Sequence, residues 1–290
     1  MNRVVIVTRS FQSGSGPGGK EFNAEVFTKK VAAPIRNLLS FDKAIQAILV
    51  MVPREDGNAV SEIPNDRGNT PTLLAFEGAF AEEISRGRLF PLPCDRWGKN
   101  QGSATALTEG AGIAKSLFNP RWIVNWSVEM ALDGYRIAKA LRFAEERNLA
   151  VVGFHRERWW ERPQWNVAQN TCAQWSLEAL LAHGGFSAEC NGTGRIVHTD
   201  EYGDVPLAGM EDFHLMLRML KDNPEFRWGM DGVQEPLAWD TDFSDPERAK
   251  KHRIKVARQY AVMQAWAKDI FPDEPFEKVM DRLFARYHTG

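Results

Sequence analysis

Two adjacent carboxylates, Glu211 and Asp212, follow Gly209-Met210 and lead straight into the helical pattern FHLMLRM. A carboxylate in a cleft can take the proton of an attacking hydroxyl as the new bond forms. The same two residues also suit the first turn of any helix, where unpaired N–H groups carry partial positive charge. A second candidate is GSGPGGKE at positions 14–21, which fits G-x-x-x-x-G-K between a strand and a helix. A P-loop would use Lys20 on the phosphates and a Ser or Thr next to it for Mg²⁺. Here the next residue is Glu21, which repels phosphate. A phosphotransferase using Lys20 is therefore a rival reading, and a glycine loop beside a helix start can also receive a diphosphate. The segment HRERWWERPQW interleaves Arg156, Arg158 and Arg162 with Trp159, Trp160 and Trp165. Indole faces stack on sugar rings, and guanidinium groups hold phosphates. The same aromatics could simply pin a long loop to the core.

Composition narrows the classes. The chain has 290 residues, 43% hydrophobic and 26% charged, as soluble globular proteins have. Its 36 Lys and Arg against 38 Asp and Glu leave a net charge of −2, without the basic excess of a generic nucleic-acid binder. No apolar run approaches the ~20 residues that span a bilayer, and MNRVVIVTRS is too short in its apolar part for a signal peptide. The three cysteines, Cys94, Cys172 and Cys190, have neither a disulfide framework nor C-x-x-C spacing. A cytoplasmic protein is expected.

The elements that must position these residues alternate. Buried strands are expected at 4–7, 44–52, 88–93, 122–126 and 149–154. Helices are expected at 21–39, 72–86, 103–117 and 129–148. This alternation predicts an α/β fold with a mostly parallel sheet flanked by helices. Ligands of such sheets lie beyond the carboxyl ends of the strands, which draws attention to Thr8, Arg9, Ser10, Glu55, Asp56, Asn100, Asn125, Ser127 and Glu129. The second half reads as a loop at 156–175, a helix at 172–182 ending in Gly184-Gly185, and a strand at 194–199. The helix opened by Glu211 follows, then a short strand near 226–230 and helices at 246–266 and 276–287. One unit over 1–240 with a helical extension over 241–290 is the simplest organisation.

Four pieces stand in a telling order: NQGSATALTEGAGIA from Asn100, WIVNWSVEM from Trp122, LEALLAHGGFS from Leu177 and GMEDFHLMLRM from Gly209. This order resembles the family 2 glycosyltransferases of the GT-A fold. In that family an N-x-G turn and a small-residue helix precede a strand ending in Asp-x-Asp. A helix ending in Gly-Gly-Phe follows, and then a Glu-Asp pair opens a helix that ends near an Arg. The likeness covers roughly 4–219 and implies a GT-A-like domain that moves a sugar from a nucleotide-diphosphate donor to a hydroxyl acceptor with inversion. It implies Asp212 as base with Glu211 beside it. It also implies donor contacts from Thr8, Arg9, Ser10, Glu55, Asp56, Asn100, Asn125, Ser127 and Arg218, and acceptor contacts from Trp159, Trp160 and Trp165. The departure lies at the Asp-x-Asp position, which reads Asn125-Trp126-Ser127. Only Glu129, with His198 or His214 as a nitrogen donor, is left to hold Mn²⁺ or Mg²⁺. That departure leaves room for a relative that binds a sugar nucleotide or a protein partner without catalysis. The acceptor and the oligomeric state are not legible at all.

Overall fold

A computed structural model describes residues 3–9, 22–41, 43–53, 71–94, 104–128, 130–154, 168, 172–191, 194–200, 203–223, 225–231, 246, 250, 253–254 and 258–289. The apolar run VVIVTR forms β1 (Val4–Arg9), followed by α1 (Ala24–Val26), a π-helical segment (Phe27–Ala32) and α2 (Ala33–Leu39). β2 (Ile45–Pro53), α3 (Pro71–Ala79), α4 (Ala81–Ser85) and β3 (Leu89–Cys94) come next. Then come α5 (Ala104–Phe118), β4 (Trp122–Trp126), α6 (Gly134–Arg147) and β5 (Val151–Gly153). The second half contributes β6 (Cys172–Ser176), α7 (Leu177–Ala182), a 3-10 turn (Ala188–Asn191), β7 (Ile196–Thr199) and β8 (Gly203–Pro206). α8 (Glu211–Asp222), β9 (Trp228–Met230), α9 (Gln259–Ile270), α10 (Phe276–Phe284) and β10 (Tyr287–Thr289) complete it.

Eight strands make one sheet in the order β10-β9-β5-β6-β4-β1-β2-β3, and β7 and β8 pair as a separate hairpin. All neighbours in the large sheet are parallel except β6, which runs antiparallel to both β4 and β5. The expected mostly parallel α/β sheet is therefore present. Both faces are buried, as near-continuous apolar strands require. Val5, Val7, Leu49, Met51 and Ile123 pack on one face under α5, α7, α8, α9 and α10. Val4, Ile6, Ile48, Val50 and Val124 pack on the other, under the helices around Phe27, Ile35, Phe76 and Ile137. A Cβ on Gly110 would lie 2.5 Å from Val7 Cγ1, so the small-residue helix α5 sits hard against β1.

Three expectations fail locally. Residues 172–176 form β6 rather than the start of a helix. Ser176 instead caps α7, its Oγ accepting from Ala179 N–H. The helix expected over 72–86 breaks at Phe80 into α3 and α4. The last helix stops at Phe284, and Tyr287–Thr289 joins the sheet edge beside β9.

The other edge, β3, has its own character. Ile48 N–H donates to the Arg88 carbonyl at 2.9 Å, which sets the ladder to β2. Alternation then turns the nitrogens of 90, 92 and 94 inward and those of 89, 91 and 93 outward. Pro91 and Pro93 thus occupy outward positions and remove two of the donors that an added strand would need. No described helix is long and apolar enough to cross a membrane.

Candidate functional site

The carboxyl edge of the parallel strands carries Thr8 and Arg9 on β1, Trp126 on β4, Gly153 on β5 and Met230 on β9. β6 begins there, at Cys172 opposite Trp126. α8 ends at the amino edge. Asn223 and Phe226, just past its end, line a cavity with Arg121, Asn148, Leu149 and Ser176, all at the amino edge. Twelve helical residues rise about 18 Å. Arg218, midway along α8, reaches Gly185 beside Thr108 in the first turns of α5, whose far end is at the amino edge, so α8 runs back toward that edge from a start at Glu211 and Asp212.

The start of α8 is unusual. Met210 occupies its N-cap with φ +58° and offers no side-chain cap. Asp212 instead accepts from Phe213 N–H at 2.8 Å and is only 4% exposed. Helix-start stabilisation, the bland reading of the pair, is thus present in the geometry. Burial, together with Glu211 and Asp212, pushes the Cys190 thiol well above its ordinary range. The Gly209 N–H donates to the Cys190 carbonyl at 2.7 Å, and Trp266 Nε1 donates to the Gly209 carbonyl at 3.2 Å, which fixes the approach to the helix.

Arg218 lies two turns deeper. Its Nη2 donates to the Gly185 carbonyl, and burial lowers its pKa from the ordinary value. Gly185 has φ +71°, and a Cβ there would lie 2.4 Å from Thr108 Cγ2. Thr108 Oγ1 accepts from Phe186 N–H at 2.8 Å. The Gly-Gly-Phe turn thus ties α7 to α5 and receives the arginine from α8.

β4 ends in a tight reversal. Trp126 Nε1 donates to the Met130 carbonyl at 2.8 Å, and Met130 N–H donates to the Ser127 carbonyl at 2.9 Å. Asn125, one residue earlier, pairs across the sheet with Val7 and Ala173. It is fully buried, and neither Oδ1 nor Nδ2 has a hydrogen-bond partner. Thr8 Oγ1 on β1 is likewise buried and unpartnered. The Gln174 amide on β6 is buried and unpartnered in the same way, so what distinguishes Asn125 is its place near the carboxyl edge.

Ser10, Glu55, Asp56, Asn100, Glu129, Trp159, Trp160 and Trp165 lie outside the described residues, as does Lys20. Arg9 ends β1. His198 lies on the β7–β8 hairpin, exposed, with Nδ1 3.0 Å from Asp204 Oδ1. His214 faces the other side of α8, its ring 4.7 Å from that of Trp266, and burial pushes its pKa down to about 4. The described donors at the Asp-x-Asp position, an amide and a hydroxyl, do not fit a divalent cation, which seeks charged oxygens. Among the described residues no three His, Cys, Asp or Glu side chains gather to hold a metal ion.

The sequence reading missed one feature of this edge. Asp231, just after β9, is fully buried. Its Oδ2 accepts from Arg136 Nε at 2.9 Å and lies 2.8 Å from Nη2, at the first turn of α6. Asp231 N–H also donates to the Gly153 carbonyl at 2.9 Å. The pair ties the ends of β5 and β9 to the helix that follows β4.

Comparison with solved structures places this architecture. The S. aureus TarS 1-349 structure matches with TM-score 0.55 at 10% identity, over 98% of this chain and 71% of that one. The fold is that of the GT-A glycosyltransferases. TarS 1-349 in complex with UDP-GlcNAc matches at TM-score 0.53 and 8% identity, over 98% and 73% of the two chains. Its complex with UDP matches at 0.52 and 9%, over 98% and 70%. A weaker likeness, TM-score 0.49 at 10% identity over 91% and 79%, joins the chain to glucosyl-3-phosphoglycerate synthase from Mycobacterium tuberculosis in complex with Mn²⁺, UDP-glucose and phosphoglyceric acid. No protein-family model matches the chain, and no curated protein sequence does. In the sheet order, β6 and β4 form the centre, with β1 and β2 leading to the β3 edge.

Proposed function

We propose that the chain is an inverting glycosyltransferase that takes a sugar from a uridine-diphosphate donor to a hydroxyl acceptor. One observation carries the reading: on a GT-A-like sheet, Glu211 and Asp212 open a helix that runs back from the carboxyl edge. TarS, with the same fold, is seen with UDP and UDP-GlcNAc. In the reaction, the acceptor oxygen attacks the anomeric carbon from the face opposite the diphosphate. The new C–O bond forms as the C–O bond to phosphate breaks, and that electron pair leaves with the diphosphate. The acceptor proton passes to Asp212, which a hydroxyl of high pKa requires. Glu211 orients that carboxylate or the acceptor. Thr8, Arg9, Ser10, Glu55 and Asp56 contact the nucleotide. Asn100, Asn125, Ser127 and Arg218 serve the diphosphate side, and Trp159, Trp160 and Trp165 stack on the acceptor.

A panel of nucleotide sugars tests this by calorimetry and by release of UDP. Saturable binding of at least one UDP-sugar with acceptor-dependent UDP release is the expected result. Binding without release would favour the second reading, a nucleotide-sugar binder that has lost catalysis, which the neutral Asn125 motivates. No binding of any nucleotide sugar would end both readings.

A further inference from the structure

We propose that the donor diphosphate is held without a divalent cation, by direct hydrogen bonds from the Asn125 amide. The inference rests on the donor-binding reading above and concerns how that donor is gripped. Asn125 is the penultimate residue of β4, at the carboxyl edge where a donor would lie. Its side chain is fully buried, yet both Oδ1 and Nδ2 lack partners. A buried amide left unpaired is costly, so such a group needs a ligand or an ordered water to complete it. Nδ2 offers two N–H donors, which a phosphate oxygen accepts and a cation repels. Oδ1 is a neutral oxygen, a poor replacement for the carboxylates that Mn²⁺ and Mg²⁺ prefer. An amide donating to phosphate does without the bridging ion that a carboxylate at this position would require. The carboxylate-to-amide change then becomes a change of binding mode, with the strand geometry kept.

The test is UDP binding by calorimetry, with EDTA or with Mn²⁺, on the wild type and on Asn125→Leu and Asn125→Asp. The wild type should bind UDP with Kd equal within about twofold in EDTA and in Mn²⁺. Asn125→Leu should weaken binding at least tenfold under both conditions. Asn125→Asp should bind weakly in EDTA, through charge repulsion, and recover at least tenfold when Mn²⁺ is added. A circular-dichroism melt of each variant confirms that it folds. If a variant unfolds, the wild-type comparison alone still decides. Loss of wild-type UDP binding in EDTA with recovery in Mn²⁺ would overturn the proposal and leave the glycosyltransferase reading intact. Undiminished binding by Asn125→Leu would also overturn it. Absence of UDP binding by the wild type under both conditions would remove the donor-binding reading and this inference with it.

Discussion

Asp212→Asn keeps the shape of the side chain and an oxygen for Phe213 N–H. It should leave folding and UDP-sugar binding nearly unchanged and cut transfer roughly 10²-fold or more. A role limited to starting α8 predicts the reverse, a small loss in melting temperature with turnover intact. His214 carries a pH dependence of stability. Its folded pKa, about 4, lies below the ordinary 6.5 because burial disfavours the charged ring and Arg218 repels it, with Asp269 opposing. The unfolded chain therefore takes up this proton first as pH falls. The contribution of the neutral ring is fully present above pH 6.5 and is lost on descent toward pH 4. Denaturant midpoints at pH 7.5 and pH 5 should differ more for the wild type than for His214→Phe, which keeps a ring against Trp266. Equal pH sensitivity in the two proteins would refute it. At this scale the sequence was informative where chemistry is local. The strand end at Asn125 and the helix start at Asp212 were legible, because each announces itself within a few residues. The Arg136–Asp231 pair could not, since its partners are 95 positions apart and meet only through the sheet order.

The turn at Gly184 and Gly185 shows how an element depends on two others. Gly185→Ala combines an unfavourable left-handed backbone with a Cβ driven into Thr108. It should cost about 2–4 kcal/mol in denaturant unfolding. A loss under ~0.5 kcal/mol would show that Thr108 moves aside freely. β6 explains the main misreading. Residues 172–176 include no strong breaker and run into the good helix formers LEALLA, so local pattern favours one continuous helix. Ladders to β4 on one side and β5 on the other override that preference and leave Ser176 as the cap. β10 had no local signal at all. Three residues after a helix become a strand only because β9 presents a free edge.

For the whole molecule, alternation of strand and helix was enough to foresee the layered α/β architecture, because β1, β2 and β4 are apolar runs separated by helical patterns. The order of strands, the single antiparallel member and the return of the C-terminal segment to the sheet were not foreseeable, since they follow from contacts distant in sequence. The β3 edge supports one more prediction. Replacing Pro91 and Pro93 with Thr supplies two outward N–H donors while keeping β propensity. The double variant should associate as its concentration rises, seen by light scattering, whereas the wild type should not. A monodisperse double variant would mean that neighbouring structure, rather than the prolines, guards the edge.

The same prolines have a consequence in time. In the sheet β1 has β2 and β3 on one side and β4, β6, β5, β9 and β10 on the other. If the sheet assembles in chain order, the β3 flank is complete early and β10 reaches the opposite flank long afterwards. Through that interval the nascent sheet has one flank closed to strangers by its own sequence. The open flank is the one that later segments of the same chain must find. Placing prolines on the first edge to be made biases a half-built molecule toward completing itself rather than recruiting a neighbour on the same polysome.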